Sequence, residues 1–434
     1  MNRHVRWFAM LVASLTLVVA GACGDDAGSF PRPDAAPDGA AGTLPELDGS
    51  VDGAPAAPVK GLVAINSDYS SSAVSLLDRD GNLLADSCLT SGSGSAGMTM
   101  TLSGDVVLPT QVPAGGPVAL IDRGKSNDAI TWLDVQTCAV VGQLAVATGF
   151  HSNPQDVVTL SASKAYVVRQ DANPAPTPAP GDFDEGNDVL VVDPTRLALA
   201  GRIDLLPFAP AGVLPRGHRA LLAGGRVFVS LNAISLDYKS YADGRIVVID
   251  PATDQVTGVI DIPGAQNCGA MTYVAATQRL FVSCGGAYGA PGVQVATSAV
   301  VAIDLGPTGP AVVARVAAAS AANLPFSNTA LAALDGNTVL AVAVGDFSGN
   351  PPDSLWLLPF DGQAPAKLFT ASESFALGAV LFDGEHGRAL LADGPTMGPA
   401  YLRTFDLAAG ALTAGKTAKT SLTTLLAPRA LALY

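Results

Sequence analysis

Three segments decide the fold of this chain: RVFVS at residues 226–230, RIVVID at residues 245–250 and QVTGVID at residues 255–261. All three are rich in β-branched residues, which favour β-strands. The tetrapeptide PATD separates the last two segments and has the composition of a tight turn. A further apolar segment, RALL at residues 219–222, precedes them. Together the four segments predict an antiparallel meander of four short strands.

An apolar strand that ends in aspartate recurs along the chain. The aspartates stand at seven positions: Asp78, Asp134, Asp193, Asp250, Asp304, Asp361 and Asp406. Their intervals are 56, 59, 57, 54, 57 and 45 residues, which indicates a repeated supersecondary unit. We expect the carboxylate of such an aspartate to accept a backbone N–H two residues further on, because this bond fixes the turn into the next strand.

The two ends of this array of repeats complement each other. The first copy has strands at residues 61–65, 73–78 and 83–85, but no inner strand precedes them. Residues 427–434 form a strand that belongs to no copy of its own. Several third strands are continuous apolar runs, which indicates that both of their faces are covered. The sequence therefore predicts an all-β fold, a seven-bladed β-propeller of four-stranded antiparallel blades, with the ring closed by the C-terminal strand.

The motif VIDPAT at residues 248–253, together with VFVS at 227–230 and VI at 259–260, resembles the Tyr-Val-Thr-Asn (YVTN) β-propeller repeat of bacterial surface and periplasmic proteins. The resemblance covers residues 59–434 and implies the same propeller fold. It identifies no activity, because repeats of this type serve in binding, in scaffolding and in some enzymes.

Long loops predict which face of the propeller carries function. The blades are longer than the usual repeat of that family, and the additional residues fall in four segments predicted to join second and third strands: residues 109–127, 170–186, 232–244 and 285–297. These loops should emerge on the same face as the connections that enter each inner strand. Loops that cluster on one face of a rigid scaffold commonly carry recognition.

The first 22 residues are typical of an export signal. Arg3 and Arg6 precede an apolar run of 14 residues, which is too short for a comfortable transmembrane helix. The segment VAGAC at residues 19–23 resembles the lipobox of bacterial lipoproteins, which implies cleavage after residue 22 and lipidation of Cys23. By the sorting pattern of that family, Gly24 favours the outer membrane. The alternative is an ordinary signal that is cleaved near Ala22 and leaves Cys23 unmodified.

Composition separates a tether from the globular domain and excludes one class of partner. Residues 23–58 are rich in Pro, Ala, Gly and Asp and contain little to bury, so they predict a disordered tether. The formal net charge of the chain is −14, and removal of residues 1–22 with their two arginines leaves 22 basic and 38 acidic residues, a charge of −16. Such an acidic protein repels phosphate backbones, which argues against binding to nucleic acid.

An acidic segment before the third strand of one repeat is a candidate calcium site. Asp182, Asp184 and Asp188 offer oxygen ligands at short spacing, and Gly186 allows a turn. The match is incomplete, because Gly186 stands where a third acidic ligand is usual and no later glutamate completes the set. The alternative is a solvated acidic loop.

Polar residues at the entrances of the inner strands form a second candidate site. They come from different blades and could converge around the mouth of the central channel: His151, Asp156, Arg216, His218, Asn267, Asn328, Glu373 and Arg429. Lactonase-like propellers hold a metal ion at this place, and resemblance to them would make Asp156, Asn267, Asn328 and Glu373 the ligands. The alternative is that these residues only surround a wet channel.

Four cysteines remain after Cys23. Cys268 and Cys284 flank a predicted hairpin and should face each other across it, and export would make their compartment oxidising, so we predict a disulfide. Cys88 and Cys138 fall on outer strands of neighbouring blades, at what look like opposite ends, and the sequence leaves their pairing open.

The sequence favours a monomeric, non-enzymatic propeller that is held at the membrane by its lipid and binds a protein, peptide or glycan through its long-loop face. A metal-dependent lactonase-like enzyme, or another propeller enzyme with its site at the central channel, is the alternative. The sequence contains no His-Glu-x-x-His, Gly-x-Ser-x-Gly or Cys-x-x-Cys-His motif and no phosphate-binding Gly-rich loop, and its one Ser-x-x-Lys match, at residues 161–164, falls in a predicted hairpin turn.

Overall fold

Seven four-stranded antiparallel sheets form a closed ring, a seven-bladed β-propeller, in the computed structural model of this protein. The structure describes residues 60–434 except residues 114, 178, 180, 290, 307–308, 347–348, 397 and 409. The predicted signal peptide, Cys23 and the tether lie outside these described residues. Within them, no helix is long and apolar enough to span a membrane.

Each blade contains four strands, numbered here in chain order. Blade 1 consists of β1 (Leu62–Ser67), β2 (Ser72–Leu77), β3 (Leu83–Thr90) and the last strand, β28 (Pro428–Leu433). Blade 2 consists of β4 (Val106–Val107), β5 (Val118–Asp122), β6 (Ala129–Asp134) and β7 (Ala139–Ala145). Blade 3 consists of β8 (Pro154–Ser161), β9 (Lys164–Ala172), β10 (Gly186–Asp193) and β11 (Ala198–Asp204). Blade 4 consists of β12 (Gly217–Ala223), β13 (Arg226–Leu231), β14 (Asp243–Asp250) and β15 (Gln255–Gln266).

Blades 5 to 7 repeat this arrangement, and the one α-helix of the described residues lies in blade 5. Blade 5 contains β16 (Cys268–Val274), β17 (Arg279–Gly285), α1 (Pro291–Thr297), β18 (Ser298–Asp304) and β19 (Ala311–Ala317). Blade 6 contains β20 (Phe326–Ala333), β21 (Thr338–Ala343), β22 (Ser354–Pro359) and β23 (Ala366–Thr370). Blade 7 contains β24 (Leu377–Asp383), β25 (Arg388–Asp393), β26 (Tyr401–Ala408) and β27 (Ala411–Ala418).

The C-terminal strand supplies the inner strand of blade 1, as predicted. β28 pairs antiparallel with β1, and Leu433 stands opposite Leu62. The backbone of Tyr434 adds bonds to Gly61 in both directions, of 3.1 and 3.2 Å. The first and last segments of the propeller are therefore held in one sheet.

The apolar core lies between the blades and not within any one of them. Seven clusters of buried side chains occur in the described part of the chain, and each joins two neighbouring blades around the ring. The cluster between blades 4 and 5, for example, contains Leu221, Phe228, Met271 and Leu280. This arrangement explains the continuous apolar third strands: every residue of β10 is buried, because a blade covers each face of the strand.

Alternation of strand direction defines two faces. The connections between second and third strands lie on the same face as the connections that lead into each inner strand, and we call this the entry face. Three of the predicted long loops are confirmed there, at residues 173–185, 232–242 and 286–297. The loop predicted at residues 109–127 is wrong, because β5 divides it. Val106–Val107 is a short inner strand, so the segment from residue 108 to 117 joins first and second strands instead.

Both cysteine pairs form disulfides. Cys268 and Cys284 are register partners of β16 and β17 and are bonded to each other. Cys88 of β3 is bonded to Cys138 and so links the outer parts of blades 1 and 2. The apparent placement of these two cysteines at opposite ends is wrong, because β3 bulges between Ala85 and Leu89 and displaces Cys88 from the regular register.

Candidate binding site on the entry face

Four of the predicted mouth residues lie together over blades 4 to 6. Arg216 and His218 stand at the start of β12, and Asn267 directly precedes β16. The Asn328 amide donates to Asn267 Oδ1 at 3.0 Å. His218 packs against Gly269, where an added Cβ would lie only 2.6 Å from His218 Nδ1. Only glycine permits this close approach of the histidine ring to the backbone of blade 5.

Arg216 is held in an unusual conformation by a dense set of contacts. Its φ of 48° lies in the left-handed region, which is uncommon for a long side chain. The guanidinium binds Asp171 Oδ1 at 2.5 Å and the Tyr238 hydroxyl at 2.8 Å, and it stacks 4.0 Å from the centroid of the Tyr238 ring. The side chain is almost completely buried. Residues kept in such backbone conformations often mark functional sites.

A chain of side-chain amides runs around the mouth from blade 3 to blade 5. Asn153 donates to Gln170 at 3.0 Å, Gln170 donates to Asn232 at 2.8 Å, and Asn232 donates to the carbonyl of Cys268 at 2.9 Å. Each bond fixes the orientation of the next amide. The repeat pattern of the sequence did not identify these three residues as part of the mouth. One available signal was that polar residues close the second strands of several blades, as Asn66, Gln170 and Asn232 do.

The other predicted mouth residues are spread over separate places. His151 binds Asp128 at 3.0 Å on the connection into β8. Glu373 accepts the backbone N–H of Thr396. Arg429 donates to the carbonyls of Ser67 and Phe375, at 3.3 Å each. These three residues lie at the entrances of blades 3, 7 and 1, so the eight predicted residues do not form one site.

Asp156 lies deeper, within a buried network. Its carboxylate accepts the N–H groups of Thr110, Val157 and Ala220 at 2.8 to 2.9 Å. Burial raises the pKa of this carboxyl, and the charge of Arg219 opposes that effect. Arg219 in turn donates to the carbonyls of Leu108 and Gln155, at 3.3 and 2.9 Å. The segment between β4 and β5 therefore reaches past blade 3 to blade 4 and binds the inner strands of both.

The predicted metal ligands do not assemble. No group of three or more His, Cys, Asp or Glu residues within the described ranges could hold a metal ion. In the candidate calcium loop, Asp188 binds Arg169 through both carboxylate oxygens at 2.7 to 2.8 Å and also binds Arg202 at 2.7 Å. Asp184 accepts the backbone N–H of Thr177 at 2.7 Å. Asp188 is therefore engaged by two arginines and Asp184 by the backbone of Thr177.

The entry face carries the exposed aromatic side chains. Four aromatic residues of the described chain are exposed by more than a third of their surface, and all four lie on entry-face loops: Tyr69, Tyr238, Tyr288 and Phe375. Tyr288 also meets Tyr241 edge to face, with 6.1 Å between ring centroids. Its hydroxyl lies beside the Asn267 amide. Aromatic side chains thus border the polar cluster at the mouth.

No protein-family model matches this chain, and no curated protein sequence matches it. Solved structures of similar fold exist. One is a protein of Bacteroides fragilis provisionally named a 6-phosphogluconolactonase, with TM-score 0.56, 12% identity, and coverage of 88% of this chain and 100% of the other. Another is a protein of Lactobacillus plantarum, with TM-score 0.56, 11% identity, and coverage of 87% and 100%. A third is a hypothetical selenium-binding protein of Sulfolobus tokodaii, with TM-score 0.56, 9% identity, and coverage of 88% and 94%. Identities this low establish that the chain is similar to these proteins in fold alone.

Proposed function

We propose that this protein is a lipid-anchored, non-enzymatic propeller that binds a protein, peptide or glycan through its entry face. One observation carries the proposal: the exposed aromatic residues of the described chain are confined to that face. Aromatic side chains are enriched in binding surfaces, because they bury a large apolar area at a small cost in conformational entropy. They stand on loops of a rigid ring, which is a common location for recognition.

Arrays of peptides and glycans, probed with the full-length protein, test this proposal. A variant with Tyr238→Ser and Tyr288→Ser should lose retention on the array, because it removes the aromatic surface beside the mouth. A matched variant with Leu84→Ser and Val313→Ser changes two exposed apolar residues of the outer strands β3 and β19, and it should bind like the wild type. Equal binding by both variants would contradict the location of the site.

The anchor is a separate part of the proposal. The lipobox-like segment ending at Cys23 supports attachment by lipid, and Gly24 supports the outer membrane. Cys23→Ser should move the protein from the membrane fraction to the soluble fraction. If the variant remained with the membrane, the proposed lipid anchor would be wrong.

A lactonase-like activity is the second candidate, favoured by the fold that the chain shares with the Bacteroides fragilis protein provisionally named a 6-phosphogluconolactonase. Its predicted ligands Asp156 and Glu373 are engaged by backbone N–H groups of the protein itself, which is why we place this candidate second. Hydrolysis of 6-phosphogluconolactone decides between the two. If the wild type hydrolyses this lactone and Glu373→Ala abolishes the hydrolysis, the protein is an enzyme and the proposed non-enzymatic function is wrong.

A further inference from the structure

Three buried polar atoms without a hydrogen-bond partner lie in the sector of the entry face over blades 4 and 5. They are Arg216 Nε, His218 Nδ1 and Asn267 Nδ2, the last of which lies near the Tyr288 hydroxyl but makes no hydrogen bond of normal geometry with it. The three residues are only 2%, 5% and 1% exposed. More than nine tenths of buried polar groups in proteins are paired, and an unpaired one costs about 1–3 kcal/mol. Arg216 Nε and Asn267 Nδ2 therefore indicate partners that come from a bound molecule, whereas His218 Nδ1 faces the backbone of Gly269.

The chemistry of these atoms limits what that molecule can be. Arg216 Nε and Asn267 Nδ2 only donate hydrogen bonds, so the bound molecule must present acceptor oxygens. Burial, together with the charges of Arg219 and Arg123, holds the pKa of His218 well below its usual value, so its ring is neutral. A hydroxyl group, whose oxygen accepts such bonds, suits both positions.

Charge argues for a neutral molecule. The Arg216 guanidinium already binds the Asp171 carboxylate at 2.5 Å, so this arginine brings no uncompensated positive charge to the sector. His218 contributes none, and the protein as a whole carries a formal charge of −14. A carboxylate or phosphate ligand would meet no free cation at the cluster and would approach a negatively charged protein.

Flat apolar surfaces lie next to these two donors. Tyr238 stacks on Arg216 with its ring about half exposed, and Tyr288 is exposed beside Asn267. A tyrosine ring offers an apolar face and a polar hydroxyl at its edge. A sugar ring has the complementary construction, since its C–H groups form apolar patches and its hydroxyls project from the rim.

The arrangement suits a compact ring better than a peptide strand. An extended peptide is usually recognised by alternating donors and acceptors along an exposed sheet edge. Here the unpaired atoms come from the starts of the neighbouring inner strands β12 and β16, which converge toward the axis. The amide chain through Gln170 and Asn232 fixes the surroundings before any ligand arrives, which lowers the ordering cost of binding.

We infer that the sector formed by Arg216, His218, Asn267, Tyr238 and Tyr288 binds a neutral saccharide. Its hydroxyl oxygens accept from Arg216 Nε and Asn267 Nδ2, and its ring packs on the exposed tyrosines. The inference rests on the proposed function, because it assigns a ligand class to the same entry face.

Calorimetric titration of the full-length protein tests the inference with defined probes. Glucose, N-acetylglucosamine, cellobiose and chitobiose are the neutral saccharides, glucuronate is the acidic one, and a mixture of decapeptides represents peptides. We expect at least one neutral saccharide to bind with a micromolar to millimolar Kd. Tyr288→Ala should weaken it roughly tenfold or more. Asn267→Asp, which keeps the oxygen that accepts from Asn328 but removes the donor, should also weaken it.

Leu84→Ala is the control, because Leu84 is an apolar residue of the outer strand β3 that is 60% exposed and lies outside the entry face. It should bind the saccharide like the wild type. Binding that Leu84→Ala weakens as much as Tyr288→Ala does, or no binding to any neutral saccharide, overturns the inference. If only peptides or glucuronate bind, and Tyr288→Ala abolishes their binding, the assignment of a neutral saccharide as the ligand is wrong, but the proposed binding through the entry face is supported. Ligand binding that is insensitive to every entry-face variant would instead defeat the proposed function.

Discussion

The aspartates that mark the repeats have two roles. Five of them accept the backbone N–H of the residue two positions further on, at 2.8 to 3.1 Å: Asp78, Asp134, Asp193, Asp250 and Asp361. Asp304 and Asp406 bind Arg279 and Arg388, their register partners on the second strand, at 2.6 Å. The first role fixes the turn between third and fourth strands, and the second ties the third strand to the second, so the period of the sequence is structural in origin.

His151 should make the stability of the protein depend on pH. The hydrogen bond with buried Asp128 raises the pKa of His151, and burial of the ring opposes this only in part. A group whose pKa is higher in the folded than in the unfolded state stabilises the protein at pH values below its unfolded-state pKa. This stabilisation is lost as the pH rises through its folded-state pKa. His151→Ala should therefore lower the melting temperature more at about pH 5.5 than at about pH 8.5. An equal difference at both pH values would contradict this, and Asp128→Asn should abolish the pH dependence.

Asp156 is predicted to be structural. Its carboxylate balances the charge of buried Arg219, and Asp156→Ala would leave that guanidinium without a counter-charge. We expect a loss of about 3–5 kcal/mol in the free energy of unfolding, measured by urea denaturation. Asp182→Ala, at an exposed aspartate, should change it by less than about 0.5 kcal/mol. Similar losses for the two variants would show that Asp156 has no such role.

At the scale of strands, blade 2 shows why some of the fold was not predictable. Its two-residue inner strand, Val106–Val107, is followed by residues that leave the sheet to bind Asp156, Arg219 and Leu222. Those partners lie 46 to 111 residues away in the chain. The local sequence pattern shows that a strand is present but not which neighbouring strand it pairs with. The second strand of this blade, β5, was therefore predicted to be part of a loop.

The candidate site was predictable to a similar degree. Asn267 and Asn328 were found because strand order brings the entrances of inner strands together. Gln170 and Asn232 were missed because their role depends on bonds between blades, which period and composition do not reveal. The unpaired state of Arg216 Nε depends on side-chain geometry and could not be read from the chain.

An ion-pair network joins the turn between β2 and β3 to blade 7. Arg79 binds both carboxylate oxygens of Asp383 and, at 2.5 Å, Glu385. Asp383 is 2% exposed, and Arg79 is 10% exposed. Burial acts to raise the pKa of Asp383, but the hydrogen bonds from Arg79 and the His386 backbone outweigh it and lower the pKa. The pair therefore stabilises the fold above the unfolded pKa of an aspartate and loses its effect in acid.

Arg79→Met should weaken the junction between the first and last blades. The substitution keeps most of the side-chain volume but leaves Asp383 buried without its main partner, so we expect a loss of about 2–4 kcal/mol at neutral pH. The matched control is Arg196→Met in the equivalent turn of blade 3, where the arginine is 80% exposed and its pair should contribute less than about 1 kcal/mol. Urea denaturation measures both. Equal effects would mean that the junction does not depend on this pair.

At the scale of the whole molecule, stability depends on closing the ring. Each apolar cluster is shared by two blades, so a blade exposed at an open end would lose half of its cover. β28 prevents this at blade 1, where it covers the edge of β1 and places Leu431 in the cluster between blades 7 and 1. A ring that is closed in this way also fixes the relative positions of the loops on the entry face, on which any binding site built from several blades depends.

Deletion of residues 425–434 should therefore destabilise the whole propeller and not only its last blade. The deletion removes the inner strand of blade 1 and exposes the apolar surface of β1, so we expect the melting temperature to fall by about 10 °C or more. Leu425→Ala, at a loop residue that is 73% exposed, should leave it unchanged. A synthetic peptide of residues 425–434, added to the shortened protein, should restore part of the loss by pairing with β1. Unchanged melting after the deletion would refute closure as the source of stability, because the ring would then hold without its final strand.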